Sequence, residues 1–224
     1  MKIQEMSMES RPREKALRFG FGVLSDLELV AILLGSGSHN RSVFDIAQDL
    51  LDKSDNLANL YGMKVEDLTS ISGIREARAL KILSGIELCK RALRTQVYRT
   101  RITHPEELIG WFEMEYGWLD REHFVAVFLD TKGNILSHRT LFIGTLNEST
   151  IHPRDIFKEA FVKNAYSVIL IHNHPSGDPS PSQSDIDTTK RIKKIAKMMG
   201  IVLLDHIIVG HNKSFSFRQA EYLD

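Results

Sequence analysis

The spacing of apolar residues changes midway along the chain, and the expected structure changes with it. Up to residue 93 they recur three and four apart. LSDLELVAILLGS (24–36) carries such a stripe behind Ser25–Asp26 and is stopped by Gly35 and Gly37. Ser42 is placed to cap VFDIAQDLLDK, where Val43, Phe44, Ile46, Ala47, Leu50 and Leu51 share one side of a helix. KVEDLTSI predicts a short helix closed by Gly73, and REARALKILSGIELCKRAL predicts a longer one. This half has no strand-like alternation and no solenoid-type repeat.

From residue 123 the period shortens. HFVAVFLD (123–130), a DTKGN turn and ILSHRTLFIG (135–144) predict a hairpin. HPRDIFKEAFVKNA predicts a helix with Pro153 in its first turn. SVILI (167–171) is the continuous apolar run of a strand covered on both faces. The loop HNHPSGDPSPSQSD leads to a helix from about Ser184 to Met199, and VLLDHIIVG and SFSF close the chain as strands around an HNK turn. Between the halves, TQVYRTRITHPEE is polar and irregular, so a boundary falls near 95–103. The expected organisation is α+β in two domains, helical over 1–98 and α/β over 102–224.

Composition narrows the class. The 224 residues are 42% apolar and 26% charged, which excludes disordered, collagen-like and disulfide-scaffold chains. No apolar run reaches the roughly 18 residues that a membrane span needs. MKIQEMSMESRPREKALRFG lacks the apolar centre of a secretory signal. Cys89 is the sole cysteine. Together these predict a cytoplasmic protein with no membrane partner. Lys+Arg and Asp+Glu both total 29, so net charge argues for no polyanionic partner. Residues 71–100 nevertheless hold 7 basic and 2 acidic side chains, a local stretch that permits nucleic-acid contact.

The candidate chemistry lies beyond the buried-looking strand. In extended chain residues i and i+2 project from the same side, so His172 and His174 can converge at the strand's end. Imidazole is the commonest zinc ligand, and a carboxylate is a frequent third partner. Asp185 stands at the expected first turn of the next helix, and Pro175, Gly177, Pro179 and Pro181 form a stiff loop able to return it to the histidines. Two His and one Asp leave a fourth tetrahedral position open, as catalytic zinc sites do. Ser182-Gln183-Ser184-Asp185 also satisfies a capping box, which accounts for Ser182 and Asp185 without any metal.

The string His172-x-His174-Pro175, continuing to Pro181 and Ser182-x-x-Asp185, resembles the JAMM (MPN+/JAB) metalloprotease signature. GTLNESTIHPRDIFKEA, AYSVILIHNHPSGDPSPSQSDIDTTKRI and LLDHIIVG are similar to its bacterial RadC-like branch, of UPF0758 type, through most of 103–224. Asn173 stands where eukaryotic members usually carry Ser or Thr. The resemblance implies a mixed sheet flanked by helices, cytidine-deaminase-like in fold, with Zn2+ held by His172, His174 and Asp185. It implies a zinc-activated water attacking a peptide or isopeptide bond in a protein or peptide substrate. Glu122 matches the family's general base, and Ser182 would donate to the oxyanion. On its own residues Glu122 reads as a solvated position ahead of a strand, with Glu148 and Glu159 as rival carboxylates. His152, in His152-Pro153-Arg154-Asp155, reads as a helix start.

Other zinc chemistries are excluded. Base deaminases need P-C-x-x-C, and neither H-E-x-x-H nor a P-loop occurs. In the helical half, Leu68-x-x-Ile71-x-Gly73-Ile74-Arg75 resembles a helix-hairpin-helix motif, as in the N-terminal domain of RadC-like proteins. That likeness implies DNA contact through Gly73, Arg75, Arg78 and Lys81, and hence an alternative function as a DNA repair or recombination accessory. Arg75 occupies the place of the motif's usual second glycine. Without the resemblance, the stretch is a packed turn with a solvated basic face.

Overall fold

The computed structural model describes residues 6–144 and 151–223. Its contacts divide the chain into two compact units, Met1–Cys89 and Lys90–Asp224. The first unit is helical: α1 (Pro12–Phe19), α2 (Asp26–Leu34), α3 (Val43–Lys53), α4 (Val65–Thr69) and the beginning of α5 (Glu76–Arg99). Ser25 and Ser42 start α2 and α3 through reciprocal capping boxes with Glu28 and Asp45. Gly35 ends α2 at φ +83°, a conformation that costs glycine nothing. Val30, Leu34, Ile46, Leu50, Leu68, Ile74, Ala79 and Ile82 form the core.

The second unit is built on a five-stranded mixed sheet of order β2-β1-β3-β4-β5: β1 (Glu122–Leu129), β2 (Ile135–Gly144), β3 (Ser167–Asn173), β4 (Val202–Val209) and β5 (Ser214–Ser216). β3 and β4 are parallel, and every other neighbouring pair is antiparallel. The sheet is covered on both faces, which is why β1 and β3 read as continuous apolar runs. Val125, Val127, Leu129, Ile169 and Ile171 face α6 (Ile109–Tyr116) and the end of α5. Phe124, Ala126, Phe128, Val168 and Leu170 face α7 (Pro153–Val162) and α8 (Gln183–Met198).

Two differences from the expected elements have physical causes. Helix α5 continues through residues 95–99, where an irregular connection was expected, because Leu93 and Val97 pack into the core of the second unit. Helix α6 has no legible apolar stripe. Ile109, Trp111, Phe112, Met114 and Tyr116 encircle it, and Trp111 and Phe112 are fully buried. The β1–β2 turn is held by Asp130, whose carboxylate accepts from the Lys132 and Asn134 backbone N–H groups at 2.8 and 2.9 Å. No helix among the described residues is long and apolar enough to cross a membrane.

Candidate metal centre

Strand β3 delivers His172 on the face occupied by Val168 and Leu170, where its ring stacks on Phe124 at 5.7 Å. His174 lies just past the strand. Its Nδ1–H donates to the Asp178 carbonyl at 2.8 Å, so Nε2 is the nitrogen left for a metal. Gly177, at φ +82°, lets this loop close: a Cβ there would stand 2.5 Å from the His211 ring. Asp185, in the first turn of α8, completes the group. The His172 and His174 Nε2 atoms are 3.0 Å apart, His172 Nε2 is 3.3 Å from Asp185 Oδ1, and His174 Nε2 is 3.6 Å from Oδ2. Zinc bonds of roughly 2.0–2.1 Å at tetrahedral angles separate neighbouring ligand atoms by about 3.3 Å. His172, His174 and Asp185 are thus gathered at the spacing of three vertices of a ligand tetrahedron.

The protonation pattern around His172 can be deduced outward from a single carbonyl. Thr189 Oγ1–H donates to the Asp185 backbone carbonyl at 2.6 Å, so its oxygen accepts from His206 Nδ1–H, also at 2.6 Å. Complete burial, with the His172 charge adding to it, pushes the His206 pKa well below the ordinary histidine value. His206 is therefore neutral and its Nε2 accepts, at 2.8 Å, the proton on His172 Nδ1. That leaves Nε2 as the His172 nitrogen available to a metal, facing His174 Nε2 and a carboxylate. Three such donors brought together need a cation among them, a proton in the metal-free chain or a metal in its place, and this donor set fits zinc.

Protons compete for the same place. Burial lowers the His174 pKa, but the Asp185 hydrogen bond and the Asp178 carbonyl outweigh it and raise the value, with Glu122's charge adding to the rise. Burial raises the Asp185 pKa, but hydrogen bonds from the two imidazoles outweigh it and hold the carboxylate far below its usual range. In the metal-free chain a proton on His174 therefore persists above the ordinary histidine pKa and must leave when a metal binds. Zinc affinity is expected to rise with pH, about tenfold per unit if one proton is displaced, and to level off once His174 is neutral. Calorimetry in buffers of different ionisation enthalpy checks this by counting the protons released.

Ser182 is the N-cap of α8. Its backbone N–H and its hydroxyl both donate to Asp185 Oδ2, at 2.8 and 2.6 Å, and its oxygen accepts from the Asp185 N–H at 3.2 Å. The capping box thus occupies Oδ2 and turns Oδ1 toward His172. Glu122 opens β1 on the face of Phe124, at the end of the sheet nearest His174. Glu159 is engaged elsewhere, 2.9 Å from Arg139. Glu148 lies outside the described residues. His152 is the exposed N-cap of α7 and makes no side-chain capping bond. In the helical unit Arg75 and Lys81 are exposed. Arg78 donates to the Gly73 and Gly37 carbonyls and to Ser36, and a Cβ on Gly73 would strike Ile46 at 2.5 Å.

Two supporting residues escaped the sequence reading. His206 lies within the quoted LLDHIIVG, but only the parallel register, Leu170 opposite His206, brings it behind His172. Replacing it, as in His206→Leu, strands the His172 Nδ1–H and leaves the Thr189 oxygen without its donor. A drop in zinc affinity of roughly 10–100-fold is expected, measured by competition with a chromophoric chelator. Asn173 is fully buried and points away from the metal group. Its Oδ1 accepts the His123 N–H at 2.7 Å and its Nδ2 donates to the Arg121 carbonyl at 3.1 Å, gripping the backbone on both sides of Glu122. Asn173→Ala is expected to cost about 1–3 kcal/mol in denaturant titration with bound zinc unchanged.

Sequence comparisons agree with this geometry. The RadC-like JAB domain family matches residues 102–222, and the UPF0758 N-terminal family matches residues 3–80. The UPF0758 protein of Geobacillus thermodenitrificans is 44% identical over 223 residues, 99% of this chain and 98% of the relative. UPF0758 protein TTE0897 of Caldanaerobacter subterraneus subsp. tengcongensis is 40% identical over 225 residues, 100% of this chain and 97% of the relative. UPF0758 protein BLi02933/BL00636 of Bacillus licheniformis is 43% identical over 225 residues, 100% of both chains. Similar from end to end to these proteins, with the His172–His174–Asp185 group inside its RadC-like JAB domain, the chain belongs to the UPF0758 family.

Proposed function

We propose that this chain is a zinc-dependent hydrolase of peptide or isopeptide bonds, acting on a protein or peptide in the cytoplasm. The observation that carries the reading is the convergence of two imidazole Nε2 atoms and one carboxylate within 3.0–3.6 Å of one another, with a His172 proton fixed on the far nitrogen. Bound zinc supplies a Lewis acid and lowers the pKa of a water in its open position toward about 7. His172, His174 and Asp185 hold the metal. The Glu122 carboxylate takes a proton from the attacking water and passes it to the departing amine nitrogen, so the amide yields a carboxylic acid and an amine. In the resting chain the Ser182 hydroxyl is bonded to Asp185. An oxyanion role requires that hydrogen to rotate away, after which the Ser182 backbone N–H still holds Oδ2.

The test is incubation of the zinc-loaded full chain with a proteome-derived peptide library that includes lysine-linked branches. Mass spectrometry is expected to find new amino termini or freed lysine amines that a chelator abolishes. Identical products with and without zinc would remove the proposal.

A further inference from the structure

We infer that the helical unit carries a binding site for a phosphate ester, a free nucleotide or a nucleic-acid phosphate, in the cleft between the start of α1 and the loop joining α2 to α3. The site adjoins the hairpin at Gly73, whose Arg78 bonds Ser36 and Gly37 of the lining, and does not depend on the metal centre. The cleft has a volume of about 930 Å3 and is lined by Arg11, Arg13, Glu14, Ser38, Asn40 and Arg41, among others. That volume accommodates a ligand of nucleotide size.

The lining groups divide into those the fold already uses and those it does not. Arg41 is committed: it pairs with Asp49 at 2.6 Å and donates to the Ser72 and Asp45 carbonyls. Asp45, a carboxylate in the lining, accepts from the Ser42 N–H in the capping box of α3. Arg78, implied by the hairpin resemblance as a DNA contact, is spent on Gly73, Ser36 and Gly37. By contrast, the buried Nε of Arg11 has no acceptor among the described residues. Arg13, Ser38 and Asn40 likewise have no side-chain partner among them. That Nε is enclosed, whereas Arg13, Ser38 and Asn40 are exposed, and an arriving oxygen can accept from them without displacing a hydrogen bond of the fold.

A guanidinium presents paired N–H donors at the separation of two phosphate oxygens, and a hydroxyl and an amide can serve the remaining ones. Glu14 opposes anion binding, so the lining favours an ester held at defined oxygens over a diffuse ionic atmosphere. The fold keeps Arg41 and Arg78 for its own carbonyls and leaves Arg11 and Arg13 for the ligand.

The experiment measures equilibrium binding to the full chain by calorimetry and fluorescence anisotropy, with and without zinc. The probes are adenosine 5′-monophosphate against adenosine, and a single-stranded 12-mer with and without a 5′-phosphate. Arg13→Gln serves as the main variant because Arg13 is exposed; Arg11→Lys tests the buried donor while keeping charge. The expected result is phosphate-dependent binding that weakens roughly 10–100-fold in Arg13→Gln. Zinc content and melting temperature should stay unchanged. Binding of the monophosphate identifies a free nucleotide as the source, whereas 12-mer binding indifferent to the 5′-phosphate identifies the backbone; either supports the site if Arg13→Gln removes it. Adenosine bound as tightly as the monophosphate with no binding of the 12-mer, affinity unchanged in both variants, or binding that requires zinc would each overturn the proposal. The last outcome would assign the phosphate to the metal centre.

Discussion

Removing both imidazoles, His172→Ala with His174→Ala, is expected to take bound zinc from about one per chain to none and abolish zinc-dependent hydrolysis. The two rings supply two of the three ligand atoms gathered within 4.8 Å of one another, and Asp185 alone cannot hold the ion. Zinc that binds only the folded chain should raise stability by about 2.7 kcal/mol when free zinc is 100 times its dissociation constant. Titrating zinc into the wild-type chain should therefore raise the melting temperature, and the double variant should not respond. Elemental analysis and thermal denaturation on the same samples separate loss of metal from loss of fold. A double variant that still binds one zinc per chain would end the metal-centre reading.

Glu122→Gln is expected to slow hydrolysis roughly 10²–10⁴-fold while bound zinc stays at the wild-type level. The amide has nearly the shape of the carboxylate but cannot take a proton from water. Because Asn173 grips the backbone at His123 and Arg121, the substituted side chain should start from the same place. The loss should fall mainly on kcat, since proton transfer belongs to the transition state and not to substrate binding. Wild-type turnover by Glu122→Gln with zinc bound would take the base's role from Glu122.

The His172–His174–Asp185 group was legible in the sequence because its geometry is local. His172 and His174 are two residues apart on one strand, and Asp185 sits at a helix start that Ser182 announces. The capping box is present and is compatible with Asp185 as a metal ligand, since Oδ2 belongs to the cap and Oδ1 faces His172. What remained hidden depends on register and burial. His206 acts from a strand 34 residues after His172, and no local pattern reports a pairing across that distance. Asn173, a departure from the wider motif at the sequence level, is a backbone clamp once Arg121 and His123 are seen beside it.

The elements follow the same rule. Helix α3 begins and ends at the residues the pattern predicts because a capping serine and one apolar stripe define it. β2 likewise occupies 135–144 as expected. Helix α6 carries apolar residues all round, so periodicity gave no sign of it. The hairpin glycine, Gly73, is explained by contact with Ile46 as fully as by any ligand, a close approach that spacing alone cannot reveal.

Helix α5 serves two masters. Ile82 is sealed in the first core, and Val97, fifteen residues further on, in the second. Excising the JAB half at residue 102, where the family match begins, would strip away Leu93 and Val97 and leave a greasy scar on the fragment, inviting clumping during purification. A fragment begun at Lys90 keeps that last stretch of helix as its own lid.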